Sequence, residues 1–179
     1  MSLRRATGLP ALLAALLTLL TLAACSPTFN WREVRVESTR LALLLPCKPD
    51  KAQKTVPLGG RETRLSMVGC KTGGATFAVA VADIGSSAKA GEVLDQWQRL
   101  SLANMKAGLP TARPLKLAGA LGPVSVVSAE GRSADGTPVR VSAAYFAQGS
   151  QVFQALLMHG EAALPADAAD TFFSSLTFE

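Results

Sequence analysis

The chain has 179 residues, of which 49% are hydrophobic and 17% are charged, and its formal net charge is +5. This length is enough for one ordinary domain with a real core. No stretch combines clustered basic and aromatic residues, so the charge does not indicate a nucleic-acid-binding protein. Residues 25–71 carry nine Lys or Arg against four Asp or Glu, which favours either a membrane-facing surface or, more simply, a solvated face.

The N-terminal segment has the layout of a secretory signal. Arg4 and Arg5 supply a positive start, residues 9–22 are mostly apolar, and Ala23 and Ala24 are small residues at the end. A retained transmembrane helix is the alternative, but the apolar segment is short for a span of about 20 residues. A twin-arginine route is less favoured, because the Phe-Leu that usually follows the arginines is absent.

The sequence Leu22-Ala23-Ala24-Cys25 resembles the lipobox of bacterial lipoprotein signal peptides. The resemblance implies that the Cys25 thiol carries a diacylglyceryl group, that cleavage occurs before Cys25, and that the new amine is acylated. Two or three acyl chains make a lasting anchor. In bacterial lipoproteins the residue after the lipidated cysteine directs sorting, and an Asp there favours the inner membrane. Ser26 at this position therefore implies the periplasmic face of the outer membrane. The expected parts are a signal peptide (1–24), a lipidated tether (25–30) and a single α+β domain (31–179).

Two further cysteines remain, Cys47 and Cys70. An even pair in an oxidising compartment predicts a disulfide. The bridge would close a loop of about two dozen residues and contribute about 3 kcal/mol. Two free thiols or a redox pair are the alternatives, although a redox site normally has a Cys-x-x-Cys spacing.

The first part of the domain has the pattern of β-strands. An alternating segment begins at Trp31, an apolar run ends at Pro46, and Gly59-Gly60 is typical of a hairpin turn. The predicted strands are residues 31–37, 41–45, 55–58, 62–68 and 75–84.

One long helix follows. Ser87 is a candidate N-cap, and Gly108 with Pro110 supplies a stop. Apolar residues recur at helical spacing and predict a stripe that packs on a sheet as core. This stripe consists of Ala90, Val93, Leu94, Trp97 and Leu100.

The second half has the pattern of a strand meander and a terminal helix. Asp135-Gly136 and Gly149-Ser150 are turn signals, and a helix is predicted after Pro165 with Phe172 and Phe173 on one face. The predicted strands are residues 124–129, 139–145 and 152–158. Together these elements predict an α+β domain: an antiparallel sheet with one long helix and a C-terminal helix packed on it.

Several short motifs resemble the PsbP-like and DcrB-like α/β/α sandwich. The segment Trp31-Arg32-Glu33-Val34 is also similar to one just after the anchor in uncharacterised lipoproteins of betaproteobacteria. The sandwich resemblance implies a binding or assembly factor without a shared catalytic site, so no functional residue is carried over. Its motifs are Leu44-Leu45-Pro46 with Lys48-Pro49, residues 77–81, Gly131-Arg132 with Asp135-Gly136, residues 152–156 and residues 172–176.

No catalytic, metal-binding or cofactor-binding constellation is evident. His159 is the single histidine, and it lies at the end of an apolar segment without a Gly-x-Ser-x-Gly elbow. Asp167 and Asp170 are better interpreted as first-turn charges of a helix than as metal ligands. No phosphate-binding or dinucleotide-binding glycine motif is present. We therefore expect no enzyme, no metal and no cofactor.

The expected function is that of a non-enzymatic, lipid-anchored envelope protein, acting as a binding or an assembly and maintenance factor. Its expected partners are the membrane, through the anchor, and an unidentified envelope protein. A carrier of an apolar ligand is the alternative, with a sheet–helix pocket lined by Trp97, Phe77 and Phe153. A hydrolase that uses His159 is less favoured. The sequence does not define the oligomeric state.

Overall fold

The structure, a computed structural model, describes residues 28–162 and 164–179. The predicted signal peptide and Cys25 lie outside these residues. The described part holds ten strands and two α-helices. In chain order they are β1 (Arg32–Arg35), β2 (Leu41–Leu45), β3 (Asp50–Leu58), β4 (Arg61–Thr72), β5 (Ala75–Asp83), α1 (Ala90–Asn104), β6 (Thr111–Leu115), β7 (Val124–Arg132), β8 (Pro138–Gln148), β9 (Gln151–His159), α2 (Ala168–Ser174) and β10 (Thr177–Phe178).

Seven of these strands form one large antiparallel sheet in the order β3-β4-β5-β9-β8-β7-β6. Tight turns with glycines at positive φ join several neighbours, for example Gly59 and Gly60 between β3 and β4. The central strands carry small residues in register, such as Ala155 between Val79 and Ala144. A separate three-stranded sheet has the order β1-β2-β10.

The main core lies between the two sheets. Side chains of successive strand residues alternate between the faces, so one face of β5 and β9 presents Phe77 and Phe153 to the small sheet. Phe153 stacks on Phe146 with ring centroids 5.2 Å apart, and Phe172 of α2 packs edge-on against Phe77 at 5.5 Å. Each fully buried side chain of this size contributes about 1.5–3 kcal/mol relative to exposure.

The opposite face of the large sheet is covered by α1 along only part of its area. Val93 packs there with Leu65 and Val152, and the half-buried Trp97 continues the contact. The face therefore has a smaller second core near the start of α1.

The predicted fold class is wrong. The structure is mostly antiparallel β-sheet in two sheets and is not an α/β/α sandwich with a long helix. α1 has 15 residues and α2 only seven. The layer opposite α1 consists largely of the small sheet, because Leu41, Leu43 and Leu45 of β2 bury their side chains against the large sheet.

The predicted disulfide is confirmed. Cys47 and Cys70 are bonded, with their Cα atoms 5.9 Å apart. Cys47 follows β2 of the small sheet and Cys70 belongs to β4 of the large sheet, so the bridge ties the two sheets together.

The helix differs from its prediction at its start and in one residue of its apolar stripe. Residues Ser87–Lys89 form a 3₁₀ turn, and α1 begins at Ala90 without a side-chain cap. Leu100 is 50% exposed and is not part of the core.

No helix among the described residues has the length and apolar character needed to cross a membrane.

Candidate functional site

An open apolar groove lies between the C-terminal half of α1 and the large sheet. Its volume is about 240 Å³. We call it the α1 groove. Its lining consists of Ser101, Leu102, Asn104 and Met105 from α1 and the residue after it, and Val127, Val141, Ala143, Tyr145, Gln154 and Leu156 from β7, β8 and β9.

Strand register brings the floor of the groove together. Ala143 lies opposite Leu156 of β9 on one side and opposite Val127 of β7 on the other. Partners in register share a face of the sheet, so the three side chains form one apolar row below the helix. The small side chain of Ala143 in the middle of this row leaves the space that the groove occupies.

One end of the groove is polar. The Gln154 side-chain amide donates to the Tyr145 hydroxyl at 2.9 Å and lies 3.3 Å from the Ser101 hydroxyl. The Trp97 ring packs edge-on against Tyr145, with centroids 6.1 Å apart. Burial raises the pKa of Tyr145, with hydrogen bonds from Ser101 and Gln154 opposing the shift. Tyr145 is therefore a neutral hydroxyl at ordinary pH.

The composition and size of the groove define what it can hold. None of the described residues that line it carries a charged side chain, so the matching group is neutral and apolar. Its volume of about 240 Å³ exceeds that of a cavity of about 150 Å³ that binds benzene. It falls below the range of about 300–1,000 Å³ typical of pockets for complete small-molecule ligands. The groove thus suits one aromatic or branched aliphatic group.

The structure does not bring together the residues expected to line a carrier pocket. Phe77 and Phe153 are fully buried between the two sheets. Trp97 belongs to α1 and packs on the opposite face of the large sheet. The apolar space near the helix is instead built from residues farther along α1, which the sequence analysis did not single out. Leu102 and Met105, three residues apart at the end of the helix, were the available signal, although they lie to one side of the stripe that ends at Leu100.

The other polar residues considered in the sequence lie apart from the groove. The Nδ1 atom of His159 is 2.8 Å from the carbonyl oxygen of Gly160. Asp170 pairs with Arg113 at 2.9 Å, and Asp167 precedes α2. Among the described residues, no group of three or more His, Cys, Asp or Glu side chains lies close enough together to hold a metal ion.

The start of the described chain is fastened to one end of the large sheet. The Thr72 hydroxyl donates to the carbonyl oxygen of Thr28 at 2.8 Å. Phe29 packs edge-on against Phe77 at 5.7 Å and lies beside the turn at Gly73. We call the end of the sheet that holds this β4–β5 turn the tether end. The predicted lipidation site, Cys25, is three residues before Thr28 and outside the described residues.

Comparisons with known proteins identify no family. No family model matches the chain, and no curated protein matches it. A solved structure of a Pseudomonas aeruginosa protein of unknown function aligns with 79% of this chain and 90% of its own, at 13% identity and a TM-score of 0.40. This similarity is too low to establish a shared fold.

Proposed function

We propose that this protein is a non-enzymatic, lipid-anchored binding protein at the periplasmic face of the outer membrane, where it holds an envelope protein. Two features support the proposal. The sequence Leu22-Ala23-Ala24-Cys25 resembles a lipobox, and the α1 groove offers an open apolar surface on the domain. In this proposal the acyl chains fix the location and the groove binds the partner.

The α1 groove is the observation on which the proposal depends. Interface anchors are commonly aromatic side chains that fill a pocket, and each contributes about 2 kcal/mol or more. A groove of about 240 Å³ with apolar walls and a neutral polar end matches one such side chain. A partner side chain of Phe, Tyr or Leu type would fill it.

Carriage of an apolar ligand is less well supported than protein binding. A carrier encloses most of its ligand surface, and pockets of that kind usually exceed about 300 Å³. The α1 groove is smaller and open to solvent. Mass spectrometry of lipids extracted from the purified native protein tests this second function, since a carrier would retain a stoichiometric ligand.

Site-specific photo-crosslinking in cells tests the binding function. A photoreactive amino acid at Asn104, an exposed residue at the groove, should give a discrete crosslinked partner. The same amino acid at Ala103, which is exposed on the same helix but outside the groove, is the matched control. The partner is then identified by mass spectrometry.

A groove-filling variant completes this test. Ala143→Leu adds apolar volume to the floor of the groove and should abolish the Asn104 crosslink while the protein remains folded. Ala147→Leu, a change of the same kind at a buried residue of β8 outside the groove lining, controls for general overpacking. Equal crosslinks from Asn104 and Ala103, or crosslinks that survive Ala143→Leu, would show that the groove does not bind the partner.

A further inference from the structure

A basic recess lies at the tether end, separate from the α1 groove. Its volume is about 320 Å³. It opens between the residues after α1 and the β7–β8 hairpin. Three cationic side chains line it, Lys106, Arg132 and Arg140, together with two acidic ones, Glu130 and Glu161.

The charges of the recess are only partly neutralised. Arg140 pairs with Glu130 at 3.1 Å. Among the described residues, no carboxylate lies within 4.0 Å of the charged nitrogen atoms of Lys106 or Arg132. The Arg132 guanidinium donates to the carbonyl oxygen of Gly136 at 2.9 Å, which holds it at the hairpin. Lys106 and Arg132 therefore remain available to an anion against the single carboxylate of Glu161, which gives the recess a net positive charge.

The backbone at Lys106 is unusual for a lysine. The last turn of α1 closes with hydrogen bonds from Lys106 N to Ala103 O and from Ala107 N to Leu102 O, both 3.0 Å. This is the Schellman arrangement, whose left-handed residue is usually glycine. Lys106 occupies that position with φ +46°. A lysine at this position costs conformational energy that glycine would avoid.

The segment that carries Lys106 is held firmly on the sheet. The amide of Arg132 donates to Met105 O at 2.7 Å, and the amide of Gly108 donates to Glu130 O at 2.9 Å. A Cβ atom at Gly131 would come within 2.7 Å of Met105 O, so only glycine permits this approach. These backbone contacts fix the position of Lys106 beside the recess.

Register places the recess close to the predicted anchor. Ala75, two residues after Gly73, lies opposite His159, which in turn lies opposite Arg140. Two strand spacings of about 4.8 Å separate Ala75 from Arg140. The three residues from Cys25 to Thr28 span at most about 11 Å. An anchor at Cys25 therefore keeps the tether end within roughly a Debye length of the membrane surface.

We infer that the basic recess binds the phosphate of an anionic phospholipid headgroup in the membrane that holds the anchor. This inference rests on the lipidation of Cys25 that the proposed function includes. The cations of Lys106 and Arg132 supply the attraction. The short tether brings the phosphate to them, and the domain then stands on the membrane with its tether end down.

The test uses the processed full-length protein reconstituted in two kinds of vesicle. One contains phosphatidylcholine alone, and the other contains equal parts of phosphatidylcholine and phosphatidylglycerol. Acetylation of lysines by an amine-reactive reagent is followed by mass spectrometry. Lys106 should be acetylated about fivefold more slowly in the anionic vesicles, the factor expected for about 1 kcal/mol per cation at such a surface. High salt should remove the protection.

Lys54 is the internal control, because it lies opposite Leu65 of β4, which is about 24 Å along the strand from Thr72 at the tether end. Its acetylation rate should be the same in both vesicles.

Arg132→Gln should reduce the protection of Lys106, whereas Arg64→Gln, which removes an exposed arginine at the far end of the sheet, should not. Lys106→Gly should raise the midpoint of thermal unfolding, because it relieves the left-handed backbone.

Three results would overturn the inference: equal acetylation of Lys106 in the two vesicles, equal protection of Lys54, or full protection by added glycerol 3-phosphate with phosphatidylcholine vesicles. The last result would identify a free phosphate as the ligand instead of a lipid. Failure of the anchor itself is recognised separately, because the protein would then incorporate into neither vesicle and the Cys25 peptide would carry no acyl mass.

Discussion

Tyr145 links the polar end of the α1 groove to the stability of the domain. Burial raises its pKa above the ordinary value of 10.0. Below that value the folded and unfolded states both keep the phenolic proton. At higher pH the unfolded chain ionises first, so the free energy of unfolding should fall as pH rises through and above about 10.

The measurement is direct because Tyr145 is the single tyrosine of the chain. Phenolate absorbance of the native protein should give a midpoint above that of the protein in denaturant. Tyr145→Phe should remove the fall in the free energy of unfolding that ionisation of Tyr145 causes at alkaline pH. The variant also loses the hydrogen bond from Gln154. Identical midpoints in the native and denatured states would contradict the burial argument.

Trp97 and Leu100 provide a matched pair on one helix. Trp97 is half-buried and contacts Tyr145, whereas Leu100 is 50% exposed. Trp97→Ala should lower the free energy of unfolding by about 2–3 kcal/mol, below the range of about 3–5 for a fully buried large aromatic. Leu100→Ala should change it by less than about 0.5 kcal/mol. Urea unfolding followed by circular dichroism tests both, and equal losses would mean that the helix packs differently.

At the scale of elements, the disulfide joins two sheets that share no strand. Replacing both Cys47 and Cys70 by Ala should lower the free energy of unfolding by about 3 kcal/mol, because the closed loop of 23 residues no longer restricts the unfolded chain. Chemical denaturation of the double variant measures this. The wild-type protein with reductant is the control and should approach the variant, and a change under about 1 kcal/mol in both would contradict the expectation.

Local patterns predicted most individual strands but not their partners. The apolar run of β2 and the stripe from Ala90 to Trp97 have clear periodicities, and both form the predicted element. The edge strand β6 has almost only exposed residues and includes Pro114, so no alternation marks it. Pairing between β2 and β10 joins residues more than one hundred positions apart, as in Phe178 with Leu41. Such pairing is decided by packing and not by local sequence.

The same limit applies to the candidate sites. The disulfide could be predicted because an even pair of cysteines in an oxidising compartment usually forms a bond. The α1 groove could not be predicted, because it depends on which strands lie side by side. Its floor joins Val127, Ala143 and Leu156 from three strands. The basic recess likewise joins Lys106 to Arg132 through backbone contacts that no residue pattern specifies.

At the scale of the whole molecule, the basic residues of the first half do not form one surface. β4 runs from Arg61 at the far end of the sheet to Thr72 at the tether end. At about 3.4 Å per residue, Arg64 is roughly 27 Å from Thr72, well beyond a Debye length. Only cations at the tether end, such as Lys71, could act at a membrane that holds Cys25.

In the proposed function, an anchor at Cys25 determines where the whole molecule is held. Cys25→Ser removes the thiol that the lipobox resemblance assigns to the diacylglyceryl group. Loss of the acyl chains, each contributing about 0.8 kcal/mol per buried methylene, should move the protein from the outer-membrane fraction to the soluble fraction or leave an uncleaved precursor. Fractionation of cells and mass spectrometry of the N-terminal peptide measure both outcomes. Ser26→Ala is the matched control, because it alters the next residue without removing the thiol. If the Cys25→Ser protein is processed and remains in the outer-membrane fraction, some other part of the chain holds it there. The short tether would then no longer be a reason to expect the tether end close to the headgroups.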